Sequence, residues 1–405
     1  MNKWRRGKLS DLVDINPNVL LKKGETYDFI SMDQLEPQLK SVESKEKRKY
    51  TGGGSKFQNG DVLFARITPC LENGKTSQVK NLSNEVGFGS TEFIVFRGKT
   101  GITITDYVYY MLTENKMREH AKKLMVGTSG RQRVDKQQLE NTEITIPDIK
   151  TQQDIVSILN ALDSKLELNR KINQTLEKMA KLLFQNYFFD HSDKTEKIEI
   201  AELMTLNPKI SLKKGHLVTF VDMKALPIES SSIEKLSLIK KKFSGGMKFQ
   251  NNDVLLARIT PCFQNGKSAL VNCLEDKEIA AGSTEFLVMR ANDKSCPSFL
   301  YCLCKDTKFL THVEKSMVGS SGRQRIQNEH LLTYEIPKPD PSKMNEFKNK
   351  THNWFAIIKS NTKENLKLIQ IRNYLLPRLI SGELAIKDAT QMIKEVFLDE
   401  KQSLI

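Results

Sequence analysis

Apolar positions change their period along the chain. Residues 61–67 and 91–97 are short apolar runs rich in β-formers, punctuated by Asn-Gly, Gly-Gly and Pro. They predict strands in a compact β-rich domain with a few helices. Residues 106–124 carry helical spacing, as do residues 297–314. Between 151 and 189 there is neither Gly nor Pro, and apolar side chains recur at Ile155, Leu159, Leu162, Leu166, Leu176, Met179 and Leu183. Steps of three and four predict one helix of about 40 residues, ~60 Å long, with a coiled-coil-like stripe. Asn169 and Asn173 fall mid-seam, where buried Asn fixes register. Trp354, Ile357, Ile358, Leu368, Ile371 and Leu375 form a similar stripe before Pro377. Each stripe needs cover, so the two helices are expected to pair antiparallel; two separate core helices are the alternative.

The chain is written twice. FQNGDVLFARITPCLENGKT starts at Phe57 and FQNNDVLLARITPCFQNGKS at Phe249, a spacing of 249 − 57 = 192, with 15 of 20 positions identical. GSTEF at Gly89 returns at Gly282, and MVGTSGRQRV at Met125 returns as MVGSSGRQRI at Met317. Asn16-Pro17 with Lys22-Lys23-Gly24 is answered by Asn207-Pro208 with Lys213-Lys214-Gly215. Blocks matched in one order mark a tandem duplication of a unit of roughly 190 residues, too long for a solenoid repeat. The expected divisions are 1–150, a β-rich domain; 151–190, a spacer helix; 191–342, the second domain; and 343–405, a second spacer helix and tail.

Composition adds a partner class. Lys and Arg number 63 against 49 Asp and Glu, a net charge of +14, which favours a polyanion through counterion release. Charge alone does not separate DNA from RNA or an anionic membrane. No apolar run approaches the ~20 residues of a membrane span, and the first residues lack the apolar core of a signal peptide, so a cytoplasmic address is expected. The 6 cysteines form no CxxC pair and the 6 histidines no metal-ligand spacing, so reduced thiols are expected.

Catalytic lookalikes fail on chemistry. Asn73-Gly74-Lys75-Thr76 and Asn265-Gly266-Lys267-Ser268 echo the end of a P-loop, but the required first Gly is Pro69 or Pro261, which lacks an N–H. Gly52-Gly53-Gly54 has no βαβ frame. Asn16-Pro17 and Asn207-Pro208 lack the second Pro and aromatic of an adenine methyltransferase loop, and no Ser/His/Asp or Cys/His set recurs. What does recur suits a polyanion: Arg131, Gln132 and Arg133 in one glycine loop and Arg323, Gln324 and Arg325 in the other offer N–H groups and guanidinium forks. Arg66 and Arg258 end strand-like runs, and Lys75 and Lys267 stand in turns. These ten residues are the candidate DNA contacts, each with pairing to a neighbouring acid as the alternative; Cys70 and Cys262 read as small buried side chains. No catalytic, cofactor or metal residues are assigned.

Two such units, with ARITPC…NGK, GSTEF, the Gly-x-Ser-Gly-Arg-Gln-Arg loop and the terminal LLPRLISGEL from Leu375, resemble the specificity subunit of a type I restriction–modification enzyme. The resemblance implies an α+β chain: two target recognition domains, each followed by a long helix, the helices paired as an antiparallel coiled coil with pseudo-twofold symmetry. It implies a non-catalytic subunit reading a bipartite site in double-stranded DNA and docking two methyltransferase subunits and motor-nuclease restriction subunits. S-adenosylmethionine, ATP and magnesium would be bound by those partners. A stiff helical spacer would set the distance between half-sites. Other readings are the specificity subunit of a different bipartite restriction system, a stand-alone bivalent DNA-binding regulator, and a self-sufficient methyltransferase or nuclease with degenerate motifs.

Overall fold

The structure is a computed structural model that describes residues 4–37, 39–128, 130–190, 196–234, 238–320 and 322–402. Ser129 and Ser321 of the glycine loops, and Gln38 and residues 235–237, lie outside them. The chain forms two compact units: 1–167 with 368–405, and 168–367. The division therefore falls inside two continuous helices, Ile149–Phe188 and Pro341–Ser381, and each unit holds a piece of both.

In the first unit the run at Val62 becomes a central strand, Val62–Ala65, between Phe93–Gly98 and Thr76–Val79. Val13–Ile15 and Ser41–Val42 complete this sheet. The run is continuously apolar because both faces are covered. Val62, Phe64, Ile94 and Phe96 face a core shared with Tyr107, Leu159, Leu162 and Leu375. Leu63, Phe93 and Val95 face the other way, onto Ile30 and Phe57 of a second sheet. That second sheet is mixed. Thr26–Ile30 pairs antiparallel with Glu46–Lys49 and parallel with Val86–Gly89, which pairs antiparallel with Ser55–Gln58.

The second unit repeats the scheme. Val254 and Leu256 pack with Leu287, Phe299 and Phe347, whereas Leu255 and Val288 pack with Val221 and Phe249. Its mixed sheet has Leu217–Val221 between Leu238–Lys242 and Ala280–Gly282, with Met247–Phe249 beyond. The chain is thus α+β and internally duplicated, as expected.

The 106–124 stretch is two helices, Thr105–Thr113 and Asn115–Lys123, broken at Glu114, whose carboxylate caps the second by accepting from Lys116 and Met117 N–H groups. Its counterpart is likewise divided, into Pro297–Leu303 and Thr307–Glu314. The stripe ending before Pro377 corresponds to a helix that continues through it to Ser381. Pro377 deletes one backbone donor, but Leu375, Leu376 and Leu379 around it are buried in the first unit's core. The helix stops at Gly382, at φ 75°, where the Leu384 N–H returns to the Arg378 carbonyl at 3.1 Å.

Within the second unit the long helices run antiparallel. Asn169 donates to Glu364 at 2.7 Å and Asn365 at 2.9 Å, Asn361 donates to Asn173 at 2.8 Å, and Tyr187 reaches Glu346 at 2.8 Å. The two seam asparagines are therefore hydrogen-bonded across the pair. In the first unit the Asp163–Arg372 pair joins the two helices at 2.7 Å. The chain's start packs in the same unit: Leu9, Leu12 and Val13 share a core with Leu375 and Leu379. A Cβ on Gly382 would lie 2.6 Å from the Trp4 ring.

Candidate nucleic-acid interface

The repeated blocks, far apart in sequence, meet in one place in each unit. Past Ala65 the strand forms a bridge between Ile67 and Arg133. The Val134 N–H donates to the Arg66 carbonyl at 2.8 Å, and the Arg66 N–H donates to the Glu92 carbonyl at 3.0 Å. Thr68 and Gln132 exchange two bonds: the Thr68 N–H donates to the Gln132 carbonyl at 3.0 Å, and the Gln132 N–H to Thr68 Oγ1 at 3.1 Å. The second unit repeats this with Thr260 and Gln324 at 3.1 and 3.0 Å. The Thr68–Pro69 and Thr260–Pro261 peptides are both cis.

The cations divide by what they face. Arg133 donates to the Glu92 carboxylate through Nη2 at 2.7 Å and Nε at 3.0 Å, and Arg66 adds Nε at 3.2 Å. Hydrogen bonds from Arg133, then from Arg66, hold the Glu92 carboxyl below the usual carboxylate range even though burial opposes this. Arg325 holds Glu285 in the same way, at 2.7 and 3.0 Å, whereas Arg258 turns its Nε to the Ile326 carbonyl at 3.1 Å. Lys75 donates to the Met32 carbonyl and Lys267 to the Met223 carbonyl, each at 2.8 Å. Gln132 and Gln324 are knit in through their backbone.

Arg131 and Arg323 differ. Each follows a glycine at positive φ, Gly130 at 82° and Gly322 at 81°. Each closes a turn, with its N–H on the carbonyl of Thr128 or Ser320. Both are exposed, and neither makes an ion pair among the described residues. Of the six candidate arginines, Arg131 and Arg323 are exposed without an acid beside them among the described residues, while Arg66, Arg133 and Arg325 face Glu92 or Glu285 and Arg258 faces a backbone carbonyl. Cys70 and Cys262 are half-buried rather than buried, and no disulfide joins any of the six cysteines.

The sequence reading named the arginines but missed their acids. The signal was available: Glu92 and Glu285 stand at matched places in the duplicated GSTEF block. Met179, expected in the covered stripe of the central helix, is instead 42% exposed, on an uncovered apolar face with Leu168, Ile172 and Leu182 at 52, 36 and 71%, which the spacing of the buried positions did not reveal. Among the described residues no three His, Cys, Asp or Glu side chains could hold a metal ion. No helix among them is long and apolar enough to cross a membrane.

Residues 1–178 match the family model described as the type I restriction modification DNA specificity domain. The chain is 24% identical to the specificity subunit of the type I restriction enzyme HindI of Haemophilus influenzae, over 95% of this chain and all of that one. It is 27% identical to the MjaIX specificity subunit of Methanocaldococcus jannaschii, over 82% of this chain and 79% of that one. The fold is similar to the S subunit of a type I restriction–modification system from M. genitalium, with a TM-score of 0.54 at 14% identity, covering 94% of this chain and 96% of that one. In a matched domain over residues 1–178, in sequence along nearly its whole length and in fold, the chain is similar to the specificity subunits of type I restriction–modification enzymes.

Proposed function

We propose that this chain is the non-catalytic DNA-reading subunit of a type I restriction–modification complex, each unit reading one half of a split site. The observation that carries it is the duplication: a matched DNA specificity domain whose fold and knot of shared motifs recur in the second unit. Linking two readers in one chain makes the second binding intramolecular. Discrimination of ~1–3 kcal/mol per good base contact then adds over both halves.

The two methyltransferase subunits dock on the long helices, and the uncovered stripe at Leu168, Ile172, Met179 and Leu182 is the apolar face suited to one of them. Motor-nuclease subunits join that core. S-adenosylmethionine, ATP and magnesium belong to the partners.

The test has two arms. Co-expressed with its methyltransferase, the chain should direct methylation of a single bipartite sequence, seen by mapping modified bases in the host genome. Purified alone, it should bind no S-adenosylmethionine in a calorimetric titration. Cofactor binding by the isolated chain, or methylation that does not depend on it, would overturn the reading.

A further inference from the structure

Each unit carries a basic strand at the outer edge of its mixed sheet. In the first, Glu46–Lys49 exposes Lys47, Arg48 and Lys49; in the second, Leu238–Lys242 exposes Lys240, Lys241 and Lys242. Register makes Arg48 and Lys241 equivalent. Arg48 lies opposite Tyr27 and Lys241 opposite Val218, and the offset 218 − 27 = 191 is also that between Phe29 and Phe220. Each cation lies over that half-buried ring: the Arg48 guanidinium carbon is 3.8 Å from the Phe29 centroid and the Lys241 Nζ is 3.3 Å from the Phe220 centroid.

A second pair of cations joins each strand at its end. The Gly24 N–H donates to the Tyr50 carbonyl at 2.9 Å and the Gly215 N–H to the Phe243 carbonyl at 2.8 Å. This seats Lys22-Lys23 and Lys213-Lys214 beside the residue that follows the strand.

Charge is left over on both strands. Lys47, Lys49 and Lys242 make no ion pair among the described residues. Lys240 is the exception, at 2.9 Å from Glu278. Burial alone would raise the Glu278 carboxyl, but hydrogen bonds from Thr219 and Lys240 outweigh it and bring it down to about 2. Arg48 meets Glu46 in an exposed pair that costs little to open.

Edge lysines also guard a sheet against strand-to-strand aggregation. That duty requires neither a ring under one cation at the same register in both units nor a lysine loop at the strand's end. The substitution of Lys241 for Arg48 points the same way. The two are not interchangeable in bidentate base reading, but either serves a phosphate.

We propose that this strand and its loop hold the phosphate backbone of duplex DNA in each unit without reading bases. The proposal rests on the DNA-binding function above. It is tested on the full chain in complex with its methyltransferase subunits, using one duplex of random sequence and one carrying the site methylated in the host.

Lys47→Gln with Lys49→Gln, and separately Lys241→Gln with Lys242→Gln, should lower the slope of log affinity against log salt by about 0.9 per phosphate no longer neutralised, equally on both duplexes. An unchanged slope, or a weakening confined to the site-bearing duplex, overturns the proposal. Amine labelling of the wild-type complex serves if a variant misfolds: DNA should protect Lys47, Lys49 and Lys242. Equal labelling with and without DNA overturns the proposal, and leaves the DNA-reading function standing as long as the complex binds either duplex. A wild-type complex that binds neither duplex overturns both.

Discussion

Arg131 and Arg133 stand two positions apart in one loop, yet their neighbours give them different work. Arg133 is fixed by Glu92, which lies 41 residues upstream, while Arg131 points outward from a glycine-framed turn. Substituting each should therefore separate stability from binding. Glu92→Gln, or Glu285→Gln in the other unit, should lower the thermal midpoint by a few degrees, because it removes the carboxylate charge and replaces one of the two acceptor oxygens facing the arginine with an NH2 donor. Arg131→Ala with Arg323→Ala should leave the midpoint unchanged and lower the salt slope of DNA binding by about 0.9 for each phosphate that the arginines neutralise. The pH dependence has a definite sign. Glu92 sits below its ordinary value of 4.5, so its contribution is fully present above that pH and is lost as pH falls toward the folded value. Denaturant melts of wild type and Glu92→Gln should converge in acid; a gap that widens there would show that the pair does not act through Glu92 ionisation. The arginines were legible in the sequence because they recur in a flexible motif. Which of them is free was not, since that depends on an acid in a different block, and no spacing rule links residues 92 and 133.

The long helices were the most legible elements, because a period of three and four sustained over many turns has no strand-like equivalent. The sheets were less so. Apolar runs at residues 61–67 and 91–97 marked central strands, but the parallel pairing of Thr26–Ile30 with Val86–Gly89 crosses nearly 60 residues and leaves no local trace. Burial along the central helix is also unlike that of a plain coiled coil. In the first unit Asp163, 4% exposed, accepts from Arg372 and from Tyr110 at 2.7 Å each. In the second, Glu177 accepts from Tyr301 at 3.1 Å and from the Ser231 N–H at 2.7 Å. A carboxylate on the helix thus fastens it to the small helix of the domain it serves. Asp163→Ala should cost about 3–5 kcal/mol, because it removes a buried carboxylate that accepts from both Arg372 and Tyr110. Asp163→Leu combined with Arg372→Met should recover most of that, since the buried charges go together. Chemical denaturation of the two variants checks this, and a double variant as unstable as the single one would mean that packing rather than charge is at stake.

At the scale of the whole chain, the boundary between the two compact units falls within both long, continuous helices, after Glu167 and after Lys367. The cut matters for exchanging specificity. An exchange restricted to residues 36–124 would replace Lys40, which donates to Asn160, and Lys80, which pairs with Glu167 at 3.7 Å. Those contacts tie the domain to its own part of the central helix, so swapping the domain alone leaves Asn160 and Glu167 without these side-chain partners. Residues 168–367 are a better unit of exchange. They carry the second domain with the helix segments it packs on, including Phe184, Phe188, Phe347 and Phe355 of its core. They also keep the Asn169–Asn365 and Asn173–Asn361 bonds in one piece. Replacing 168–367 by the matching segment of a related specificity subunit should give a folded chain whose methylated site keeps one half and gains the other half from the donor. Mapping methylated bases in cells carrying the chimera reads both halves at once. A site changed in both halves, or in neither, would mean that the units do not read independently, and an insoluble chimera with intact parents would mean that the units are not interchangeable at these helix positions.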